Sequence, residues 1–277
     1  MVTRIRGRSA ACPVWAAPLP VLAVVALVVA TATAAPPDTV FLEELTWTEL
    51  RVLIAGGAGT AIVPIGGTEQ NGPHIALGKH NVRVRALAER VARTLGGTLI
   101  APVIAYVPEG ELTPPSGHMR FPGTITVSEE TFRRTLEAAA RSLRLAGFRN
   151  VVFLGDHGST QTGERAVAGK LSREWAGARV RVVAIPEYYR AATTGFRELL
   201  RAKGYRADEL GEHADLADTS LTLALEPRLV RTTGVEAPPS GPTGADGDAR
   251  RASAELGRLG IELIVSRTVA AIKESIK

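Results

Sequence analysis

Five histidines and three carboxylates occur together in the polar segments of the chain. The histidines are His74, His80, His118, His157 and His213, and the carboxylates that share their segments are Glu69, Asp156 and Glu212. Imidazole and carboxylate are the usual protein ligands of Zn²⁺, Mn²⁺ and Fe²⁺ where thiolates are absent, and imidazole also transfers protons near neutral pH. A lone loop histidine most often only makes a hydrogen bond. This grouping instead indicates a metal or acid–base site.

Most of these side chains lie in segments that follow predicted strands. Apolar runs predict buried strands over 61–65, 99–107, 151–154 and 180–185. Helical periodicity and end signals predict helices over 47–54, 82–95, 129–146, 162–175, 215–225 and 249–272. Such alternation is typical of a three-layer α/β/α fold with a mainly parallel sheet, in which ligands bind at the carboxyl ends of the strands. We therefore expect the segments after Ile65, Val107 and Leu154 to meet at one edge.

The first 35 residues have the pattern of a signal peptide. Three arginines precede a short apolar run over 21–29, and Ala32-Thr33-Ala34 supplies the small residues of a cleavage site. The run is shorter than the ~20 residues that a membrane span requires, although a retained anchor is the alternative interpretation. We expect a secreted or periplasmic protein without stable membrane insertion after cleavage, and one folded domain over 36–277.

Removal of this segment changes what the composition implies. It takes away three arginines and no acidic residue, so that the net charge falls from +5 to +2. That balance gives no reason to expect nucleic-acid binding. The single cysteine, Cys12, is also removed. Any metal site of the mature chain must then be built from histidine and carboxylate.

Four sequence blocks follow one another along the chain: PIGGTEQNGPH over 64–74, FPGTI over 121–125, GF at 147–148 with VVFLGDHG over 151–158, and EHA over 212–214 with DTS over 218–220. In this order they resemble motifs of the creatininase (creatinine amidohydrolase) family. The resemblance implies an α/β fold of parallel-sheet type, which often assembles into hexamers. It also implies a hydrolase of amide C–N bonds that works on a small molecule at a two-metal centre.

The chain departs from the family pattern at three ligand positions. Asn71 stands where the family has a histidine ligand, and His80 stands where the family has an aspartate that bridges both metals. Ser159 stands where creatininase itself has a glutamate ligand. The resemblance therefore implies that Glu69, His80 and His157 hold one ion, with Zn²⁺ first and Mn²⁺ or Fe²⁺ as alternatives. A histidine cannot bridge two metals as a carboxylate does, so we expect the second ion to be lost.

The remaining candidate residues receive roles in hydrolysis. His213, with His74 as the alternative, is expected to protonate the leaving nitrogen, and Glu212 or Asp156 to take the proton of the attacking water. The predicted substrate contacts are Asn71, His74, His118 and Ser159. The substrate would be a small amide, lactam or formamide; a peptide- or nucleotide-derived substrate is a weaker option. A protein that binds a metal or ligand without catalysis remains the alternative from another functional class.

Overall fold

The computed structural model describes residues 36–231, 235 and 243–277, so the predicted signal peptide lies outside the described residues. Four parallel strands form one sheet in the order β2-β1-β3-β4. Their bounds are β1 Thr60–Ile65, β2 Thr98–Ile100, β3 Asn150–Gly155 and β4 Arg181–Ala184. Parallel strands need helical crossovers that cover both faces of the sheet, and the sequence supplies these between successive strands.

Within the described residues, eight α-helices surround this sheet. They are α1 Trp47–Ala55, α2 Lys79–Leu95, α3 Glu129–Ala146, α4 Gln161–Glu174, α5 Pro186–Arg190, α6 Phe196–Ala202, α7 Leu216–Leu225 and α8 Ala254–Ser275. A π-helical turn over Ala191–Gly195 joins α5 to α6. The apolar sides of α1, α3 and α4 pack on one face of the sheet, and those of α2 and α5 to α8 pack on the other. This arrangement confirms the predicted three-layer α/β/α fold with a parallel sheet.

Local sequence signals explain several of these ends. Thr46 forms a capping box with Glu49 at the start of α1, and Ser128 caps α3 through the backbone N–H of Thr131. Asp215 caps α7 in the same way through Asp218. Capping side chains satisfy backbone donors that no helix turn can reach, and this is why these starts could be predicted within a residue or two.

Three predicted boundaries were wrong, and one helical segment was not predicted. The strand predicted over 99–107 ends at Ile100, because Pro102 cannot donate to a strand ladder. Beyond it an isolated bridge of Ile104 with Ile65 continues the pairing to β1, whereas Val107 pairs with Thr126. The last helix begins at Ala254 instead of 249. Residues 186–202, for which no element was predicted, form α5, the π-turn and α6. Helix α2 begins at Lys79, so that His80 lies in its first turn and not in a loop.

The carboxyl edge of the sheet collects the polar segments, as the strand pattern predicts. The loop after β1 is hydrogen-bonded to the loop that follows β2, because Ile125 N–H donates to the carbonyl of Thr68. The loop after β3 enters the same region, since the hydroxyl of Ser159 donates to the carbonyl of Pro108. None of the helices in the described segments combines the length and the apolar character that crossing a bilayer requires.

Candidate active site

The carboxylate of Glu69 lies at the centre of a group of imidazoles. Its side chain is fully buried, with Oε1 2.7 Å from His80 Nε2 and Oε2 2.8 Å from His157 Nε2. The same Oε2 lies 3.1 Å from His118 Nε2, and Oε1 lies 3.8 Å from His213 Nδ1. Four of the five histidines thus face one carboxylate. Burial alone would raise the pKa of Glu69, but the charge and hydrogen bonds of His80 and His157 lower it well below its ordinary value.

His157 is oriented by the turn that follows β3. It precedes a 3-10 turn over Gly158–Thr160, and its Nδ1 lies 2.7 Å from the hydroxyl of Ser159. That hydroxyl is held in turn by the carbonyl of Pro108 at 2.5 Å. These contacts turn Nε2 of His157 toward Glu69. Ser159, predicted to touch substrate, therefore acts in this structure by orienting His157.

His118 is held by the loop after β1. Gln70 Nε2 donates to His118 Nδ1 at 2.8 Å, and Gln70 Oε1 accepts from the backbone N–H of Gly72, which fixes the orientation of the amide. The hydroxyl of Thr124 donates to the carbonyl of His118. His118 consequently presents Nε2 to Glu69. It was predicted as a substrate contact, and the structure makes it part of the donor group.

Glu109 brings a second buried carboxylate to the same place. Its Oε2 lies 3.1 Å from His157 Nε2, the nitrogen that also faces Glu69. Burial, followed by the negative charge of Glu69, raises the pKa of Glu109 to about 9. Two buried carboxylates against one nitrogen require a proton or a cation between them, since their mutual repulsion is weakly screened in the interior.

The donor set fits a divalent cation. Glu69, His118 and His157 each offer one ligand atom, and these atoms all lie within 4.8 Å of one another. Two imidazole nitrogens and a carboxylate are a common protein shell for Zn²⁺ and for Mn²⁺ or Fe²⁺. A cation there would also neutralise the charge that Glu69 and Glu109 share.

His80 is not among the three residues whose ligand atoms all lie within 4.8 Å of one another. Its Nε2 lies against Glu69 Oε1 and its Nδ1 against Asp156 Oδ2, each at 2.7 Å. Asp156 is fully buried and also accepts from Arg83 Nε at 2.7 Å and from the hydroxyl of Tyr188 at 2.6 Å. His80 thus links Glu69 to a buried ion pair. The candidate group contains His118 where the sequence analysis placed His80, and the ligand role of His80 stays a prediction.

His213 presents a nitrogen lone pair to the centre. Its Nε2 donates to the carbonyl of Gln70 at 2.8 Å, and a carbonyl can only accept, so Nδ1 carries no proton in the neutral ring. Burial and then the charge of Lys79 lower the pKa of His213 to about 4. Its ring lies 4.6 Å from that of His118, centroid to centroid. Ala214, with φ of 52°, makes the turn that separates His213 from the cap of α7.

The other predicted residues lie outside this group. Glu212 is exposed, and only its backbone N–H has a partner, Asp246, among the described residues. His74 is buried with Nε2 3.0 Å from the hydroxyl of Thr219, so it ties the loop after β1 to α7. Asn71 donates to the carbonyls of Glu69 and Ala76 and supports the same loop.

Sequence reasoning missed three residues of the site: Glu109, Arg83 and Tyr188. The signal for Arg83 was present, because it lies three residues after His80 on a helix and so on the same face. Glu109 follows Pro108 in a loop that was expected at the carboxyl edge, and that placement alone could have suggested it. Nothing in the pattern around Tyr188 pointed to the site.

The fold and the donor group define the class of protein, an α/β enzyme with an acidic, imidazole-rich centre at the carboxyl edge of a parallel sheet. The chain belongs to the creatininase family, whose sequence model, described as creatinine amidohydrolase, matches residues 43–272. This confirms the family and the amidohydrolase class predicted from the motifs.

Several known proteins are similar to this chain. The creatinine amidohydrolase of Pseudomonas putida is 28% identical over 255 residues, which are 85% of this chain and 97% of that protein. The 3-dehydro-scyllo-inosose hydrolase of Thermotoga maritima is 27% identical over 196 residues, 70% of this chain and 58% of that one. A crystal structure of creatinine amidohydrolase superposes with a TM-score of 0.72 at 27% identity and covers 87% of this chain and 99% of that one.

Proposed function

We propose that the chain hydrolyses the C–N bond of a small amide, lactam or formamide with the help of one divalent metal ion. The observation that carries the proposal is the convergence of Glu69, His118 and His157 on one point. Membership of an amidohydrolase family supports the reaction class. Two related solved structures, titled as a manganese creatininase and as a zinc–zinc form of a creatininase mutant, support a cation of this kind. We expect Zn²⁺ first, with Mn²⁺ or Fe²⁺ as alternatives.

A single ion is proposed because the ligands of a second one are replaced. Asn71 gives its amide protons to backbone carbonyls, and Ser159 gives its hydroxyl to Pro108. His80, in place of a bridging carboxylate, has both nitrogens in hydrogen bonds. When bound, the ion would polarise a substrate carbonyl and lower the pKa of a water molecule toward ~7.

His213 is the residue best placed to move the proton. Its Nδ1 lone pair faces the donor group and the ring is neutral at pH 7, so it accepts a proton from the attacking water. The imidazolium that results can then give this proton to the departing nitrogen. His213 therefore takes both proton-transfer steps in turn, whereas the sequence analysis gave it only the second.

The two carboxylates predicted as the base are not positioned for that role. Glu212 is exposed, and the hydrogen bond that it makes among the described residues is that of its backbone N–H to Asp246. Asp156 is fully buried and already accepts from Arg83, His80 and Tyr188, so it has no face open to a water molecule. We therefore propose Asp156 as a positioning residue for His80.

The charge around the centre favours a neutral substrate. Lys79 and Arg83 are the buried cations nearby, and Asp218 pairs with both of them while Asp156 also pairs with Arg83. Within the described residues these pairs leave neither cation available to bind an anionic group. An uncharged amide or lactam needs no such cation in order to bind. The open side of the centre is formed by His118 and His213, whose side chains are 28% and 18% exposed.

Export and assembly complete the proposal. We expect the mature chain to begin near Ala35 or Pro36 outside the cytoplasm, and to form a homo-oligomer, with a hexamer as the family resemblance implies. Mass spectrometry of the secreted or periplasmic fraction tests the first expectation, and native mass spectrometry of the purified protein tests the second. An intact Met1 on a membrane-embedded protein would contradict export.

The proposed activity is tested by metal analysis together with a substrate screen. Protein purified without added metal should contain about one equivalent per chain, and it should turn over at least one compound in a panel of lactams, formamides and linear amides. Chelation should abolish that turnover and metal addition should restore it. Bound metal with no turnover across the panel would favour the alternative, a binding protein that retains the fold.

A further inference from the structure

We propose that Glu109 is a further protein ligand of the metal ion, supplied by the loop after β2 in place of the carboxylates that the family pattern has at positions 80 and 159. The inference rests on the proposed metal centre. It adds a fourth donor to Glu69, His118 and His157, and this donor belongs to none of the sequence motifs that the chain shares with the family.

The first argument is the state of the Glu109 side chain. It is fully buried, and neither oxygen has a hydrogen-bond donor among the residues that the structure describes. A buried carboxyl group without partners is costly, and most such groups in proteins are bonded to protein, water or an ion. His157 Nε2 lies 3.1 Å from Oε2, and it is already the ligand atom aimed at Glu69. A cation between these atoms would give Glu109 the partner that the side chain lacks.

The second argument is that the backbone holds Glu109 in this place from both sides. Its own N–H donates to the hydroxyl of Thr126 at 3.0 Å, and the carbonyl of the preceding Pro108 accepts from Ser159. Gly67 leaves room for the side chain, because a Cβ at that position would lie 2.6 Å from Glu109 Oε1. The carboxylate is therefore pre-positioned, which is what a metal ligand requires.

The third argument connects Glu109 to the loss of a ligand at position 159. The serine there is short, and its hydroxyl reaches the carbonyl of the residue directly before Glu109. A glutamate at 159 would have to displace this contact, and the loop that carries Glu109 would lose its tie to β3. Ser159 and Glu109 are thus two parts of one change, in which a carboxylate reaches the centre from the loop after β2 and not from the turn after β3.

Substitution by glutamine gives a sharp test, because glutamine has the same shape but no charge. If Glu109 only fills space as a neutral acid, Glu109→Gln should bind metal as the parent does. If it is a ligand, the Kd for Zn²⁺ should rise about 100-fold, and the visible spectrum of the Co²⁺-substituted protein should change in position and intensity. The measurements are competition titration with a chromogenic chelator and absorption spectroscopy.

Glu164→Gln is the matched control. Glu164 is another buried glutamate with an unpartnered oxygen, but its other contacts are with Thr160 and the end of β3, outside the donor group. Its substitution should leave the Kd for Zn²⁺ within about twofold of the parent value. Glu109→Asp, which retracts the carboxylate by one methylene, should give a Kd between those of the parent and Glu109→Gln, and it serves as the test if the glutamine variant does not fold.

The outcomes separate this inference from the function on which it rests. A folded Glu109→Gln protein with unchanged Kd and unchanged Co²⁺ spectrum would overturn the role of Glu109 and leave the metal centre standing. A parent protein that binds no Zn²⁺ or Co²⁺ would overturn both.

Discussion

Arg83 and Asp156 form a buried ion pair, with Arg83 Nε 2.7 Å from Asp156 Oδ2, that joins the first turns of α2 to the end of β3. Asp156 directly precedes His157, and Arg83 lies one helical turn beyond His80. The pair therefore fixes the relative position of two imidazoles that face Glu69. Burial opposes the charge of Arg83, but Asp156 and Asp218 raise its pKa above its ordinary value, so that the guanidinium stays protonated.

Asp156→Asn should destabilise the protein strongly. It leaves the buried Arg83 with one carboxylate partner fewer, and the loss of one partner of a buried pair costs about 3–5 kcal/mol. The free energy of unfolding from urea titration gives the measurement. Asp248→Asn, which removes a surface partner of Arg250, is the control and should change the midpoint little. Equal midpoints for the two variants would contradict the structural role of Asp156.

His118→Ala should weaken metal binding more than His80→Ala does. The first substitution removes a proposed ligand, whereas the second removes a side chain outside the group of three ligand atoms, which supports Glu69 through Nε2 and is held by Asp156 through Nδ1. We expect the Kd to rise at least about 100-fold for His118→Ala and about tenfold for His80→Ala, in the range known for residues that support ligands. Isothermal titration with Zn²⁺ decides the order. The reverse order would return His80 to the ligand set.

Gln70→Glu should tighten metal binding. The amide of Gln70 donates to His118 Nδ1, whereas a histidine that binds metal through Nε2 carries its proton on Nδ1 and needs an acceptor there. A carboxylate supplies that acceptor and can still accept from the N–H of Gly72. We expect the Kd to fall about tenfold, measured by chelator competition. Gln70→Ala is the control, and its Kd for the metal should not fall below that of the parent.

His213→Ala should lower kcat/KM by ~10²–10⁴-fold on whichever amide is turned over, since it removes the residue that moves the proton. Metal content should stay at the parent level. His74→Ala should keep most of the activity and lose stability, because His74 is buried against Thr219 and has no contact with the donor group among the described residues. Full activity in a metal-loaded His213→Ala protein would remove this residue from the mechanism.

Glu164 should make the metal-free protein less stable as the pH rises. Burial raises its pKa to about 7 from an ordinary value of 4.5, so the folded state holds the proton more tightly than the unfolded state does. This contribution is complete below pH 4.5 and is lost as the pH rises through 7, by about 3 kcal/mol at most. Thermal unfolding between pH 5 and 8 tests it. The melting temperature of Glu164→Gln should fall less between pH 5 and 8 than that of the parent. An identical fall in the two proteins would contradict the raised pKa of Glu164.

The sequence could predict the layers of the fold because the signals there are local. Apolar runs such as 61–65 and 151–154, together with the caps Thr46 and Ser128, determine strands and helix starts with little help from distant residues. The motifs likewise predicted Glu69 and His157 at one edge, since both directly follow strands whose carboxyl ends must meet.

The choice among the histidines could not be predicted, because it depends on contacts across the chain. His80 lies in α2 because the helix begins at Lys79, whose ammonium pairs with Asp218, 139 residues further on. Glu109 is an isolated carboxylate in a loop. Two hydrogen bonds hold that loop in place: Glu109 N–H donates to the hydroxyl of Thr126, and the hydroxyl of Ser159 donates to the carbonyl of Pro108. Sequence periodicity contains no information on either placement.

The glycine at the end of β3 has a consequence for how related sequences vary together. A Cβ at Gly155 would lie 1.9 Å from Glu164 Oε1, so the carboxyl group of Glu164 occupies the space that a side chain at 155 would need. An asparagine at this position would force the carboxyl group of Glu164 to move. Homologues with asparagine at 155 should therefore carry a smaller residue at 164, and those with glutamate at 164 should carry glycine at 155. An alignment of the family would show this as a correlated pair of positions, inherited together and exchanged together.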